Sequence, residues 1–167
     1  MTLSLYAASV PPALRTLSAL SAILVKGAAH AEAKKIDPQV LLQARLFPDM
    51  FPLVRQVQIA TDAIKGGVSR LAGEEPPRFE DDEASFAELT ARIARTQAHL
   101  ESFLPEQIDG NEERSIVLKL RGVERTFQGQ AYLLGHVLPN FYFHTVTAYN
   151  ILRHNGVELG KQDYLGS

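Results

Sequence analysis

There is no cysteine among the 167 residues. Disulfide scaffolds, thiolate nucleophiles and cysteine-built zinc sites are excluded at once, and the absence fits a reducing compartment. Charge of one sign is also scarce. The formal net charge is −2 and no long block of either sign stands out, so neither nucleic acid nor an anionic membrane is expected as a partner. The opening MTLSLYAASVPPALRTL lacks the basic leader and unbroken apolar core of a signal peptide. No apolar run looks long enough to span a bilayer. A cytoplasmic protein is the expectation. The common catalytic fingerprints are missing too: GxGxxG, GxxxxGK[ST], HExxH, GxSxG and the paired Glu-x-x-His of di-iron bundles are all absent.

What is present reads as one globular domain over residues 1–167. Hydrophobic residues make up 46% and charged residues 22%, and the length suffices for a core without staples. Four segments carry helical periodicity. The first runs from about Pro11 to Lys34, with Ser9 as N-cap, prolines in its first turn and a stripe of Leu14, Leu17, Leu20 and Leu24. Asp37-Pro38 restarts the chain. A second helix begins behind Asp49 as N-cap, and Met50, Leu53, Val57, Ala60, Ile64, Val68 and Leu71 form its seam before Gly73. The acidic run from Glu74 to Glu83 reads as a connection.

Ser85 and Glu88 match a capping box opening the third helix, whose buried face is Phe86, Leu89, Ile93, Leu100 and Leu104, with Pro105 as its stop. The period then changes. Ser115 to Leu120 and Glu124 to Phe127, around Arg121-Gly122, suit a small hairpin that must pack on the bundle. The last helix spans about Gln130 to His154, with Leu134, Val137, Phe141, Thr145, Ala148 and Leu152 on one face. Pro139 inside it should remove a ladder hydrogen bond and kink the chain near residues 135 to 139. The class is all-α: a four-helix bundle with a small β-hairpin before its last helix.

Candidate chemistry concentrates on that last helix. His136, Asn140 and His144 recur every four residues and share a face of a straight helix. Two imidazoles so spaced form a half-site for zinc, nickel or iron, but the middle member is asparagine, a weaker neutral donor. The alternative is that His144 sits in a partly buried wall, hydrogen-bonded to a polar partner. Gln58 flanks the second seam and could reach His144 or Asn140. Asp49 serves as a helix cap or a catalytic carboxylate. Arg55, Asp62, His30 and His99 read as solvated, and His154 as a cation at a helix C-terminus. The aromatics of NFYF surround one helical turn, which favours a homodimer.

The run from His144 through Tyr149 and Leu152-Arg153 to Asn155-Gly156-Val157 resembles the end of the last helix in DinB/YfiT-like proteins. The whole chain, through SLYAASVPPALRTLSAL, PDMFPLVRQVQIA and LPNFYFH, is similar to an uncharacterised bacterial branch of that superfamily, a domain of unknown function. The resemblance implies an up-down-down-up bundle, often dimeric. Many such proteins hold a divalent metal with three histidines, and some are thiol-dependent transferases or isomerases. Carried onto this sequence, His144 matches one ligand position while Asn140 and Gln58 occupy the other two. The resemblance therefore implies a polar Gln58/Asn140/His144 pocket in place of the metal site, and the expectation for such a pocket is a small molecule or a water network. Two alternatives stay open. One is a metal- or thiol-dependent transferase using His144 with zinc or nickel, completed by Asp49 or His136. The other is a structural dimer without a ligand.

Overall fold

Ser4 opens the first helix. Its hydroxyl accepts from the Ala7 N–H at 3.0 Å, and Asp109 accepts the Tyr6 N–H at 2.9 Å, so two of the orphan donors at the helix start are satisfied. Helix α1 (Leu5–Lys34) thus starts well before Pro11, and both prolines lie inside it. They remove bonds to the Ala7 and Ala8 carbonyls. Ala7 is exposed and Ala8 half-buried, which leaves water to take over. Ser9, expected as the cap, is instead buried and donates to the Leu5 carbonyl at 2.6 Å.

The computed structural model describes residues 3–120 and 122–166. After α2 (Pro38–Leu42), the chain turns through residues 43–52 into α3 (Leu53–Ala72). Its N-cap is Pro52, without a side-chain cap; Asp49 lies in the preceding turn, exposed, and caps no amide among the described residues. The expectation failed because Pro52 fits just ahead of a first helical turn while the chain before it is still turning. Helix α4 (Phe86–Glu101) does open on the expected box: Glu88 N–H donates to Ser85 Oγ at 3.2 Å, and the Glu88 carboxylate returns to Ser85 Oγ and the Ala84 N–H. Its far end differs. Phe103 turns into the core at 2% exposure, Leu104 is 61% exposed, and Pro105 starts the short α5 (Pro105–Ile108) instead of stopping α4.

Strands β1 (Ser115–Leu120) and β2 (Val123–Gln128) pair antiparallel, Ile116 opposite Phe127. Ile116 is buried on the bundle, which gives the hairpin the packing it needs. Arg121, expected at the turn, lies outside the described residues. The last helical run is α6 (Gly129–Tyr132), a π turn over Leu133–Val137, and α7 (Leu138–His154). Pro139 sits in the first turn of α7, and the widened turn just before it absorbs its missing donor. The extra residue also shifts the stripe: Leu133 is buried, whereas Leu134 is 42% exposed.

Contacts fix the directions. Thr61 meets Arg92 and Ser69 meets His99, so α3 and α4 run parallel. Ser18 meets Gln97, and Gly27 lies against Phe86, so α1 opposes α4. Gln56 meets His144, and Gly67 lies against Val137, so α7 opposes α3. The bundle is up-down-down-up. A final short helix, α8 (Lys161–Leu165), folds back on α1 and α7 through Lys26–Asp163 and Thr145–Tyr164. Contrary to the sequence expectation, one helix among the described residues, α1, is long and apolar enough to cross a membrane, with a mean hydropathy of 1.4 over its best window; its Leu5, Leu17, Leu20 and Leu24 are buried in the bundle core.

Candidate functional site

His144 is held by Gln56. Its Nδ1 lies 2.6 Å from Gln56 Oε1, and Gln56 Nε2 donates to the Phe51 carbonyl at 2.9 Å. The second bond fixes which end of the amide is oxygen, and that oxygen only accepts. Nδ1 therefore carries the imidazole proton, leaving Nε2 as an acceptor. Burial, with the positive charge of Arg55 nearby, holds the His144 pKa below its ordinary value, so the ring is neutral at pH 7.

Gln58, the expected partner, is elsewhere. Its Nε2 donates to Glu83 Oε2 at 2.9 Å, and its Oε1 accepts from Arg55 Nη1 at 3.1 Å. Two residues along a helix rotate the side chain by about 200°, which separates Gln56 from Gln58 around α3. Asn140 Nδ2 donates to the His136 carbonyl at 2.6 Å, a bond within its own helix. His136 stacks on Tyr132, with ring centroids 5.7 Å apart, and lies 5.5 Å from Phe127. Burial and then Arg70 lower its pKa. Asp49 makes no side-chain hydrogen bond among the described residues. The structure thus pairs His144 with Gln56, sends Gln58 toward the acidic loop, and leaves Asn140 and His136 on a neighbouring wall.

The largest polar assembly was not anticipated. Arg92 is wholly buried on α4. Its Nε donates to Thr61 Oγ1 at 2.8 Å, Nη2 reaches Asp62 at 2.9 Å, and Nη1 meets Glu83 and Asp81 at 3.1 Å and the Glu80 carbonyl at 3.0 Å. Arg55 pairs with Asp81, and Lys65 with Asp62, so Arg55 and Asp62 are not simply solvated. Phe79 packs under Lys65, Arg92 and Arg95, adding cation–π attraction. The loop read as a mere connection is a strap buckled to α3 and α4. One signal was available: Arg92 falls between Leu89 and Thr96 on the apolar stripe of its helix. His99 is also not solvated, since its Nε2 meets Ser69 Oγ at 2.8 Å and its ring meets the Phe103 edge.

Between α3, α7 and the hairpin lies a cleft of about 480 Å³. Its polar rim is Arg55, Asp62, Arg70, Lys119, His136 and Asn140. Arg70 Nη1 donates to the Tyr132 hydroxyl at 3.3 Å, and burial raises the Tyr132 pKa. As a metal centre the region does not fit. Among the described residues no three His, Cys, Asp or Glu side chains are placed to hold an ion. The available donors beside His144 are neutral amides, and the guanidinium of Arg55 occupies the Gln58 oxygen. A fixed cation beside weak donors opposes a divalent ion.

The parallel middle helices, the long crossover strap and the hairpin ahead of the last helix define a DinB-like four-helix bundle. A crystal structure of a DinB family member protein from Shewanella denitrificans is 44% identical, superposes with a TM-score of 0.92, and matches 98% of this chain and 92% of its own. Residues 5–165 match the family model described as a domain of unknown function, DUF1993, and the chain belongs to that family. Among curated proteins no match was found.

Proposed function

We propose that this chain is a DinB-like binding protein without a metal centre, and that its ligand is a small molecule held in the cleft between α3, α7 and the hairpin. The observation carrying this reading is the Arg55–Gln58 hydrogen bond at 3.1 Å. It sets a positive charge among the positions where the resemblance implied metal ligands. A guanidinium there opposes a divalent cation, and its own counter-charge is Asp81 of the strap. The cleft beside it is open, its volume is in the range of small-molecule sites, and it combines an apolar floor with a few polar groups.

Elemental analysis of tag-free protein, followed by calorimetric titration with zinc and nickel, tests the metal half of this reading. The expected result is substoichiometric metal and no binding heat. One equivalent of metal that survives dialysis and is lost in His144→Leu would overturn it. A second reading, a transferase using His144 as a base, draws on the Nδ1–H fixed by Gln56, which leaves Nε2 as a proton acceptor. It expects a His144→Gln variant that folds normally and loses all turnover of a thiol substrate.

A further inference from the structure

We propose that the ligand of this cleft is a small organic anion, with its carboxylate or phosphate held by Arg70 and Lys119. The proposal rests on the reading that the cleft takes a small molecule, and it adds the chemical class. Three cations, Arg55, Arg70 and Lys119, line the cleft against one carboxylate, Asp62, and of the three Arg55 is already answered by Asp81. Asp62 is already engaged by Lys65 at 2.7 Å and Arg92 at 2.9 Å, so most of its charge is answered outside the cleft. Among the described residues Arg70 pairs with no carboxylate, and Lys119, although opposite Glu124 across the hairpin, makes no ion pair with it. The chain holds 19 acidic residues against 17 Lys and Arg, so a shortage of carboxylates does not explain why these two stand without one.

Arg70 is also deliberately seated. Its side chain lies back along α3 over Gly66, where an added Cβ would stand 2.5 Å from Nη1. Nη1 is then anchored on the Tyr132 hydroxyl. A glycine in a helix interior disfavours the helix relative to alanine, and here its lack of a side chain is what admits the guanidinium. The π turn of residues Leu133–Val137 brings His136 and Val137 to the same cleft; such turns are frequent at functional sites. Ile59, Ala63, Leu118 and Val137 supply an apolar wall. A planar guanidinium beside an ammonium and a phenol suits an oxyanion, and the wall suits a compact apolar body attached to it.

The test compares benzoate and phenyl phosphate with uncharged benzamide, followed by amide NMR shifts and calorimetry on the full chain. Both anions should move the amides of Ala63, Leu118 and Val137, and benzamide should bind at least about tenfold more weakly. Lys119→Gln, at an exposed position that leaves the fold intact, and Arg70→Gln should each weaken benzoate by about tenfold. Arg153→Gln, an exposed cation on α7 outside the cleft, should change nothing. Equal binding of benzamide in the cleft overturns the anion proposal and leaves the small-molecule reading standing. If no probe moves the cleft amides, both fall. If the anions bind but Lys119→Gln and Arg70→Gln match the parent protein, the anion proposal falls through the wrong choice of residues.

Discussion

On the side of α3 that faces α4, the buried cation is answered: Arg92 meets Asp62, Asp81 and Glu83, and Lys65 and Arg55 share two of the same carboxylates. On the side that faces α7 and the hairpin, Arg70 donates to a phenol, and Lys119 has no carboxylate partner among the described residues. The difference follows from burial. A guanidinium with no exposed surface is tolerable only if its charge is matched and its donors are all used. Lys119 is exposed and keeps its water, so an unmatched charge there costs little. The first flank is therefore complete without a ligand, while the second retains charge that a ligand can use.

Breaking the closed flank should have the largest effect. Arg92→Met leaves Glu83, itself 8% exposed, without its main counter-charge, and we expect a loss of about 3–5 kcal/mol in urea unfolding. Adding Glu83→Gln to that variant should recover part of the loss, because the stranded charge is gone. A loss below about 1 kcal/mol would mean that the strap is a solvated loop after all.

The next effect lies on the open flank, where packing rather than charge is at stake. Gly67 faces Val137 of the π turn, and an added Cβ would run into Val137 Cγ1 with no flexible chain end to give way. Gly67→Ala should destabilise by about 1–3 kcal/mol despite the better helix propensity of alanine. Thermal unfolding checks the sign. A stabilised variant would show that α3 and the π turn are not in close contact.

These two sites also show what the sequence could reveal. Local signals were legible: the Ser85/Glu88 box, the paired runs around Gly122 and the stop at Asn155-Gly156 each depend on neighbours within a few residues. The apolar seams placed the four long helices for the same reason. Ser4 was missed because half of its cap comes from Asp109, a distant residue. Gln56 was passed over for Gln58 because a seam tells which face is apolar but not which amide meets a given imidazole. The Arg92 strap needs two carboxylates, Asp81 and Glu83, from a segment without periodicity, and no spacing rule gathers them. Pro139 marked the disturbed ladder, yet the π turn that resolved it packs against Gly67 of another helix.

A smaller effect separates the strap from the half-buried histidines by pH. His99, His136 and His144 are all held below the ordinary imidazole value of 6.5, chiefly by burial. The unfolded chain then binds protons that the folded chain refuses, so this stability is whole above about pH 6.5 and is lost as pH falls below it. Asp81 is held below its ordinary value of 3.8, burial opposing the Arg55 and Arg92 contacts that lower it. Its contribution survives until far more acid conditions. Urea midpoints should therefore fall between about pH 6.5 and pH 5 while the strap remains closed. His144→Leu should flatten that fall; an unchanged slope would exclude His144 as a contributor.

The smallest expected change in stability is the most discriminating, because it sets fold against site at one atom. Gly66→Ala adds a Cβ only 2.5 Å from Arg70 Nη1, and the tip of a long side chain can swing away. The helix should gain about 0.5–1 kcal/mol from the propensity of alanine. The guanidinium, however, should leave the Tyr132 hydroxyl and the cleft. We expect a slightly raised melting temperature together with benzoate binding weakened about as much as in Arg70→Gln. Gly67→Ala, one residue on, should show the reverse pairing, a less stable fold with Arg70 still seated. If Gly66→Ala binds benzoate as well as the parent, the seat of Arg70 is not what the cleft uses, and the anion proposal loses one of its two residues.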